Sequence, residues 1–447
     1  MIQLDVYGPP FMEYQGKGSL IFDEATQVQV DFRCIQLHNS KIYAHVHIIE
    51  MIDFNIINNK NRIDAIRGLL EDGRLFESIG DVLVQEWITS IGDSTSVEGL
   101  LIISQIRIES KKNGTTLLAT RLKFYLTNLR FMGSKSYWPK PNIGLLKLPL
   151  EINGLNITIY PYINYDKLVK KMELTKTSTV TSYMETDLIN LSKKDLLTLV
   201  AKLCSLISFA KGTAIICPCY QEVDDTGSVI ASFHRSCITS NFGTWELISQ
   251  YSSDLKQFIE TTFNTYVRLL DEYKLNKIIH IIISSKLDTS FLELKALASV
   301  SAIDVMRGRW AKSHGKIQIT SRTKFDICEK QLKDLIKNFE KLEICPDQIN
   351  QMIKKIPELN RPSLADVLKE MVFDIQANIS EDEIVAFTKT RNKLVHESHF
   401  ATEDSYQEFS NIIYLADQLI IALLNYQGPH IDRRSWRESK SHQPIDA

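Results

Sequence analysis

From its start to about residue 160, the chain alternates apolar and polar positions over short runs. The alternation is clearest in QVQVDF (27–32) and KIYAHVHII (41–49). It recurs in LLIISQIRIE (100–109), TTLLATRLKFYLTNL (115–129) and LNITIYPYI (155–163). A period of two puts successive side chains on opposite faces, so these runs predict β-strands. Asn113-Gly114 and the group Gly133, Pro139, Pro141 supply breaks between them. Residues around Ile63–Ile79 read as a short helical interruption.

The period changes from Ser192 onward. LSKKDLLTLVAKLCSLISFAKG has the spacing of an amphipathic helix, with Ser192 as its cap and Gly212 as its stop. Two apolar runs then flank Asp225-Thr226-Gly227, which predicts a hairpin. A second helix is predicted over 254–275. Beyond Ser285 the pattern is helical throughout, over 291–313, 325–342, 363–375, 380–398 and 404–428, with Pro346, Pro357 and Pro362 as punctuation. Ser380 with Glu383, and Ser405 with Glu408, have the spacing of capping boxes, and Gly428 ends the last helix. The fold class is therefore α+β and multidomain. A β-rich N-terminal domain covers 1–165, and a mixed α/β region over 166–285 continues that sensory or regulatory part. An all-helical bundle with a basic tail covers 286–447.

Composition narrows the function classes. Of 447 residues, 44% are hydrophobic and 24% charged, and the net charge is −2, so no overall basic field marks a protein that coats nucleic acid. A site touching a few nucleotides needs only a local patch. Seven cysteines, an odd number, do not read as a disulfide framework. The start MIQLDVYGPPF lacks a secretory pattern, and runs such as IIHIIIS (278–284) are too short to span a bilayer. These features predict a soluble, cytoplasmic protein with no membrane partner. No phosphate loop, nucleophile elbow or HExxH zinc helix is present.

One segment carries chemistry. RNKLVH places Arg391 and His396 late in a capped amphipathic helix that a long apolar helix follows. RNA carries its own nucleophile, the ribose 2′-OH. A protein that cleaves it needs a group to move protons and a fixed cation to stabilise charge on phosphoryl oxygens, as His and Arg do. The Arg-x4-His spacing alone is weak, because Arg33…His38 and Arg309…His314 match it too. The first match lies in a strand-like run, where positions five apart face opposite ways.

With Asn392 directly after Arg391 and helices on both sides, RNKLVH resembles the Arg-x4–6-His signature of the HEPN superfamily, over about residues 286–430. A β-rich region ahead of such a domain resembles the ApeA-like antiphage defence proteins. The HEPN resemblance implies a metal-independent endoribonuclease that needs no cofactor, acts on cellular RNA such as tRNA and works as a homodimer. It gives Arg391 the phosphoryl charge, His396 the proton transfers, and Asn392 the orientation of substrate or imidazole. The ApeA-like resemblance implies abortive infection, in which the N-terminal part restrains the nuclease or detects a phage-derived trigger. Lys393, His399 and the tail residues Arg433 and Arg434, with Arg437 and Lys440, are further candidates for phosphate contacts. The alternative is a non-catalytic sensor that binds RNA or protein and dimerises through a HEPN-like domain.

Other clusters have simpler explanations. Cys217, Cys219, His234 and Cys237 suggest zinc, but Cys-x-Cys matches structural zinc spacing poorly and the region reads as a hairpin. Glu222, Asp224 and Asp225 fall at that hairpin's turn, where Asp is common for local reasons. His45 and His47 share one strand face, which gives too few ligands for a metal site.

Overall fold

The computed structural model describes residues 4, 9–23, 26–49, 61–90, 96–110, 118–132, 147–188, 191–237, 243, 245–287, 291–339 and 344–432. Contacts divide the chain into two compact units. One consists of Met1–Phe263, Lys286–Thr289 and Gly428–Ile431, and the other of Asn264–Ser285, Ser290–Gln427 and Asp432–Ala447. The chain is thus α+β, with a β-rich N-terminal half and a helical C-terminal region.

In the first unit, strands β1 (Pro10–Ile21), β2 (Gln27–Leu37), β3 (Ile42–Ile48), β5 (Ala65–Leu70), β6 (Leu75–Ser90) and β7 (Ser96–Glu109) pair antiparallel. The short β4 (Arg62–Ile63) lies beside β6. The ladder runs β6-β5-β1-β2-β3-β7, and β6 also pairs with β7, so six strands close into a barrel. Alternation explains the interior: Val28, Val30, Phe32 and Cys34 from β2 meet Ala44, Val46, Leu101 and Ile103 in one apolar core. Closure also needs glycine. A Cβ on Gly18 would lie 2.1 Å from the Arg67 carbonyl oxygen, and one on Gly68 would lie 2.4 Å from that of Lys17. Only a residue without a side chain lets β1 and β5 approach so closely.

The expected helix around Ile63–Ile79 is instead β4, β5 and the start of β6. Ile63, Ile66 and Leu70 imitate helical spacing, but they point into the barrel. The turn at Gly73, with φ +82°, folds the chain back into a hairpin.

Beyond β7 the sheet continues open through β13 (Val229–Arg235), β12 (Cys219–Val223), β8 (Arg121–Thr127), β11 (Val180–Asp187), β10 (Leu155–Pro161) and β9 (Leu148–Ile152). Helix α1 (Tyr165–Thr175) packs on β11. Helix α2 (Lys193–Lys211) has the caps read from sequence: Ser192 accepts from the Asp195 N–H, and Gly212 takes the left-handed conformation. The expected hairpin is β12–β13, turning through Asp225-Thr226-Gly227. Asn113-Gly114, Gly133, Pro139 and Pro141 lie outside the described residues.

Helix α3 (Ser252–Tyr273) precedes the second unit's helices: α4 (Leu275–Ser285), α5 (Leu292–Ser313), α6 (Arg322–Lys337), α7 (Pro346–Lys355), α8 (Leu364–Asp374), α9 (Glu381–Glu397) and α10 (Ser405–Leu423). Helix α5 is the hub, since α4, α8, α9 and α10 all pack on it. Among the described residues no helix is long and apolar enough to cross a membrane.

Candidate active site

Helix α9 is well specified by its own sequence. Ser380 Oγ accepts from the Glu383 N–H at 3.3 Å, and the Ser380 N–H donates to the Glu383 carboxylate at 2.8 Å, which closes the expected capping box. The helix ends at Ser398, which has φ +59°, so His396 sits in the last turn, where the helix dipole favours positive charge. Ile384, Phe387, Thr390 and Leu394 form the buried face. Thr390 Oγ1 donates to Glu408 of α10 at 2.7 Å, and this bond fixes the rotation of α9 about its axis.

Glu408 is not the capping residue expected. Asp404 caps α10 by accepting from the Gln407 N–H at 2.9 Å, so the box of Ser405 and Glu408 does not form. Glu408 turns inward and also accepts from the Ala401 N–H at 2.9 Å. Burial pushes its carboxyl up, but hydrogen bonds from Thr402, Ala401 and Thr390 outweigh that and hold it below the usual carboxylate range. A buried carboxylate with several donors is worth more here than a cap, because only the former joins two helices.

With that rotation fixed, Arg391 lies at the edge of the buried face and Asn392 and His396 lie in solvent. Arg391 Nη2 donates to Asp304 Oδ2 of α5 at 3.2 Å, and Nη1 donates to Asn392 Oδ1, also at 3.2 Å. Its Nε–H has no acceptor among the described residues. Arg307 approaches the other oxygen of Asp304 at 3.7 Å, so one carboxylate holds two guanidinium groups. Asn392 and His396 are four apart and share one exposed face. Arg391 and His396 are separated by roughly 140° around the helix and about 7.5 Å along it. The Arg391–Asn392 bond draws the guanidinium toward the His396 side. The His396 ring makes no hydrogen bond or ion pair with another described residue. The site thus offers a held cation, an amide and an uncommitted imidazole.

The neighbouring candidates are more occupied. Lys393 Nζ lies 2.7 Å from Glu397, His399 Nε2 lies 3.0 Å from the same carboxylate, and His399 Nδ1 approaches the Phe400 carbonyl at 2.7 Å. The hydrogen bond from Lys393, then the Lys393 and His399 charges, hold Glu397 below the usual carboxylate range. Arg433, Arg434, Arg437 and Lys440 lie outside the described residues. The competing Arg-x4-His matches are accounted for elsewhere. His314 stacks on Trp310 and faces Asp374 at 3.4 Å, while Arg33 pairs with Glu13 at 2.7 Å.

Sequence reasoning missed Asp304 and Arg307. The available signal was Asp304 at helical spacing from Arg307 in the middle of the hub helix, but nothing local pairs Asp304 with a residue 87 positions away.

Among the described residues no three His, Cys, Asp or Glu side chains come together as a metal set. Cys217 Sγ points to the Cys219 carbonyl and Cys237 Sγ to that of Arg235, each a local contact. Burial raises the Cys217 and Cys219 thiols. Asp224 accepts from the Thr226 and Ser228 N–H groups inside the hairpin turn, and Glu222 pairs with Lys193. His45 pairs with Glu98 at 3.2 Å, and with His47 it lines an open cleft of about 520 Å³ on the outer barrel wall. His234 has a structural setting that sequence did not show. Gln36 Nε2 donates to the carbonyls of Ser40, Pro218 and Arg235, which turns its Oε1 to His234 Nδ1 at 2.7 Å. Nδ1 therefore carries the proton, and Nε2 accepts from the Tyr14 hydroxyl at 2.9 Å.

Comparison with known proteins finds no matching family model, no similar curated protein and no similar solved structure.

Proposed function

We propose that the helical unit is a HEPN-type, metal-independent endoribonuclease that cleaves cellular RNA, tRNA foremost, by attack of the ribose 2′-OH on the adjacent phosphate. The observation that carries this reading is the contrast within one helical turn and its flank. Arg391 is anchored by Asp304 and Asn392, whereas His396 stands in solvent with no partner among the described residues. An anchored guanidinium can meet phosphoryl charge without reorganising, and an uncommitted imidazole can take the 2′-OH proton or protonate the leaving oxygen. The angular separation of the two side chains on one helix favours a homodimer, in which the second copy's pair faces the first across the scissile phosphate. In the ApeA-like reading the β-rich unit restrains this activity in the cytoplasm until a phage-derived trigger arrives, and cleavage then halts the infected cell.

A 2′-deoxy substitution at the mapped cleavage position tests the chemistry. The expected result is loss of cleavage at that position alone, with a cyclic phosphate on the product of the unmodified RNA. Continued cutting at the deoxy position would exclude 2′-OH attack. A second reading, a sensor that binds RNA without cutting, draws on the Asp304 carboxylate, which already neutralises Arg391. It predicts RNA binding with no product under any condition.

A further inference from the structure

The open part of the sheet carries an aromatic ladder that rises from a small buried cluster of Phe11, Tyr125, Val180 and Cys219 and that the α9 site does not use. Tyr125 of β8 is in register with Tyr183 of β11, which is in register with Tyr160 of β10, so the three side chains share one sheet face. The Tyr160 and Tyr183 rings stack at 5.2 Å with 23° between their planes. Lys123 Nζ stands 3.8 Å from the centre of the Tyr183 ring, on a strand that also places it 3.7 Å from Glu185. Tyr162 extends the cluster, with its ring 5.9 Å from Tyr125 and 5.4 Å from Phe11. Phe11 and Tyr125 are buried, but Tyr160, Tyr162 and Tyr183 keep part of their surface in solvent.

A cross-strand aromatic pair alone only stabilises a sheet. Here cations are interleaved with the rings and fringe them. Lys123 caps one end of the stack; burial pushes its ammonium down, against the Glu185 carboxylate beside it, which favours the charged form. Directly after Tyr162, α1 and its C-cap present Lys167, Lys170, Lys171 and Lys176 to solvent. Burial, and after it the charge of Lys171, pushes the His38 imidazole down; its ring lies 6.2 Å from Tyr162. Partly exposed rings beside a line of lysines match the two parts of a single strand of nucleic acid. Each base has a π-face that stacks regardless of sequence, and each phosphate has a charge to be met. A double helix offers no free base faces, and a neutral sugar chain has no use for the lysines.

We propose that this face of β8, β11 and β10 binds unpaired RNA, with bases stacked on Tyr162 and on the side of Tyr160 turned away from Tyr183, Tyr183 backing the stack between Tyr160 and Lys123, and phosphates met by the α1 lysines. The choice of RNA over DNA rests on the ribonuclease reading; the stacking surface does not.

The test uses the full chain carrying Arg391→Ala, so that binding is read without cutting, and a short labelled oligoadenylate followed by anisotropy. Tyr160→Ala and Tyr162→Ala should each weaken binding about tenfold, and Tyr160→Phe should restore it. Lys167→Gln with Lys171→Gln should flatten the salt dependence by up to about one unit of slope per lost phosphate contact. Ultraviolet crosslinking of the oligonucleotide to unmutated tyrosines, read by mass spectrometry, should label Tyr160 or Tyr162 and is independent of how the variants fold. The proposal is overturned if the oligonucleotide does not bind, if the tyrosine variants bind it equally, if duplex RNA binds as tightly, or if the crosslinks fall elsewhere. Binding by this face alongside a wild type that stays inactive even with phage-infected lysate would sink the nuclease reading and leave the platform standing. Cleavage by wild type with no tyrosine dependence of binding would do the reverse.

Discussion

His234 and His396 occupy opposite situations in the two units. His234 lies between the barrel and the open sheet with both ring nitrogens engaged, and burial pushes its pKa down to about 3. His396 lies in the last turn of α9, exposed and without a partner among the described residues. The first imidazole is held neutral and joins strands; the second is available to a substrate. The difference shows that a histidine's role follows from what its neighbours have already taken, and that a motif spacing says nothing about this by itself.

The comparison breaks most sharply at the chemistry. His396→Ala should lower RNA cleavage by about 10²-fold or more while leaving the melting temperature unchanged, as read by initial rates and thermal melts. His234→Ala should do the opposite. It strands Gln36 Oε1 and the Tyr14 hydroxyl in a dry interior, at a cost of about 2–3 kcal/mol in urea unfolding, with little change in the cleavage chemistry. His234 also predicts a pH dependence of the first unit. The unfolded imidazole binds a proton near pH 6.5 and the folded one only near 3, so the unfolded state holds more protons between those values. The stability from its neutral state is complete above about pH 6.5 and is lost as pH falls toward 3. A His234→Gln variant should be less stable at pH 7 but show a shallower loss on acidification.

Smaller effects sharpen the contrast within the helical unit. Glu408→Gln should cost about 1–2 kcal/mol and slow cleavage, because it loosens the bond that sets the rotation of α9. Asp304→Asn should change stability by about 1 kcal/mol or less, since the pair is partly exposed, but it should alter KM and kcat differently by freeing Arg391. Gly308 gives the smallest effect. A Cβ there meets nothing within 4 Å, so Gly308→Ala should stabilise α5 by up to about 1 kcal/mol in urea unfolding.

Much of the local structure was legible because its causes are local. Ser192 and Gly212 mark the ends of α2, Ser380 and Glu383 close a box, and Asp225-Thr226-Gly227 turns a hairpin, each within a few residues of its signal. Closure of the barrel was not legible, since a period of two announces a strand but not its partner, and β1 must find β5 about fifty residues on. The same limit hid Asp304 beside Arg391 and Gln36 beside His234. The segment over Ile63–Ile79 misled because barrel-facing residues on two short strands broken at Asp64 can reproduce helical spacing. The Ser405–Glu408 box failed because a tertiary partner, Thr390, took the carboxylate.

The most direct test of the central claim is cleavage of a total tRNA pool in EDTA by wild type, Arg391→Ala and His396→Ala side by side, with the 3′ ends of the products analysed. Wild type, with phage-infected lysate added to relieve any restraint, should cleave and leave cyclic phosphate ends, and both variants should lose that cleavage. Equal cleavage by all three proteins would contradict it.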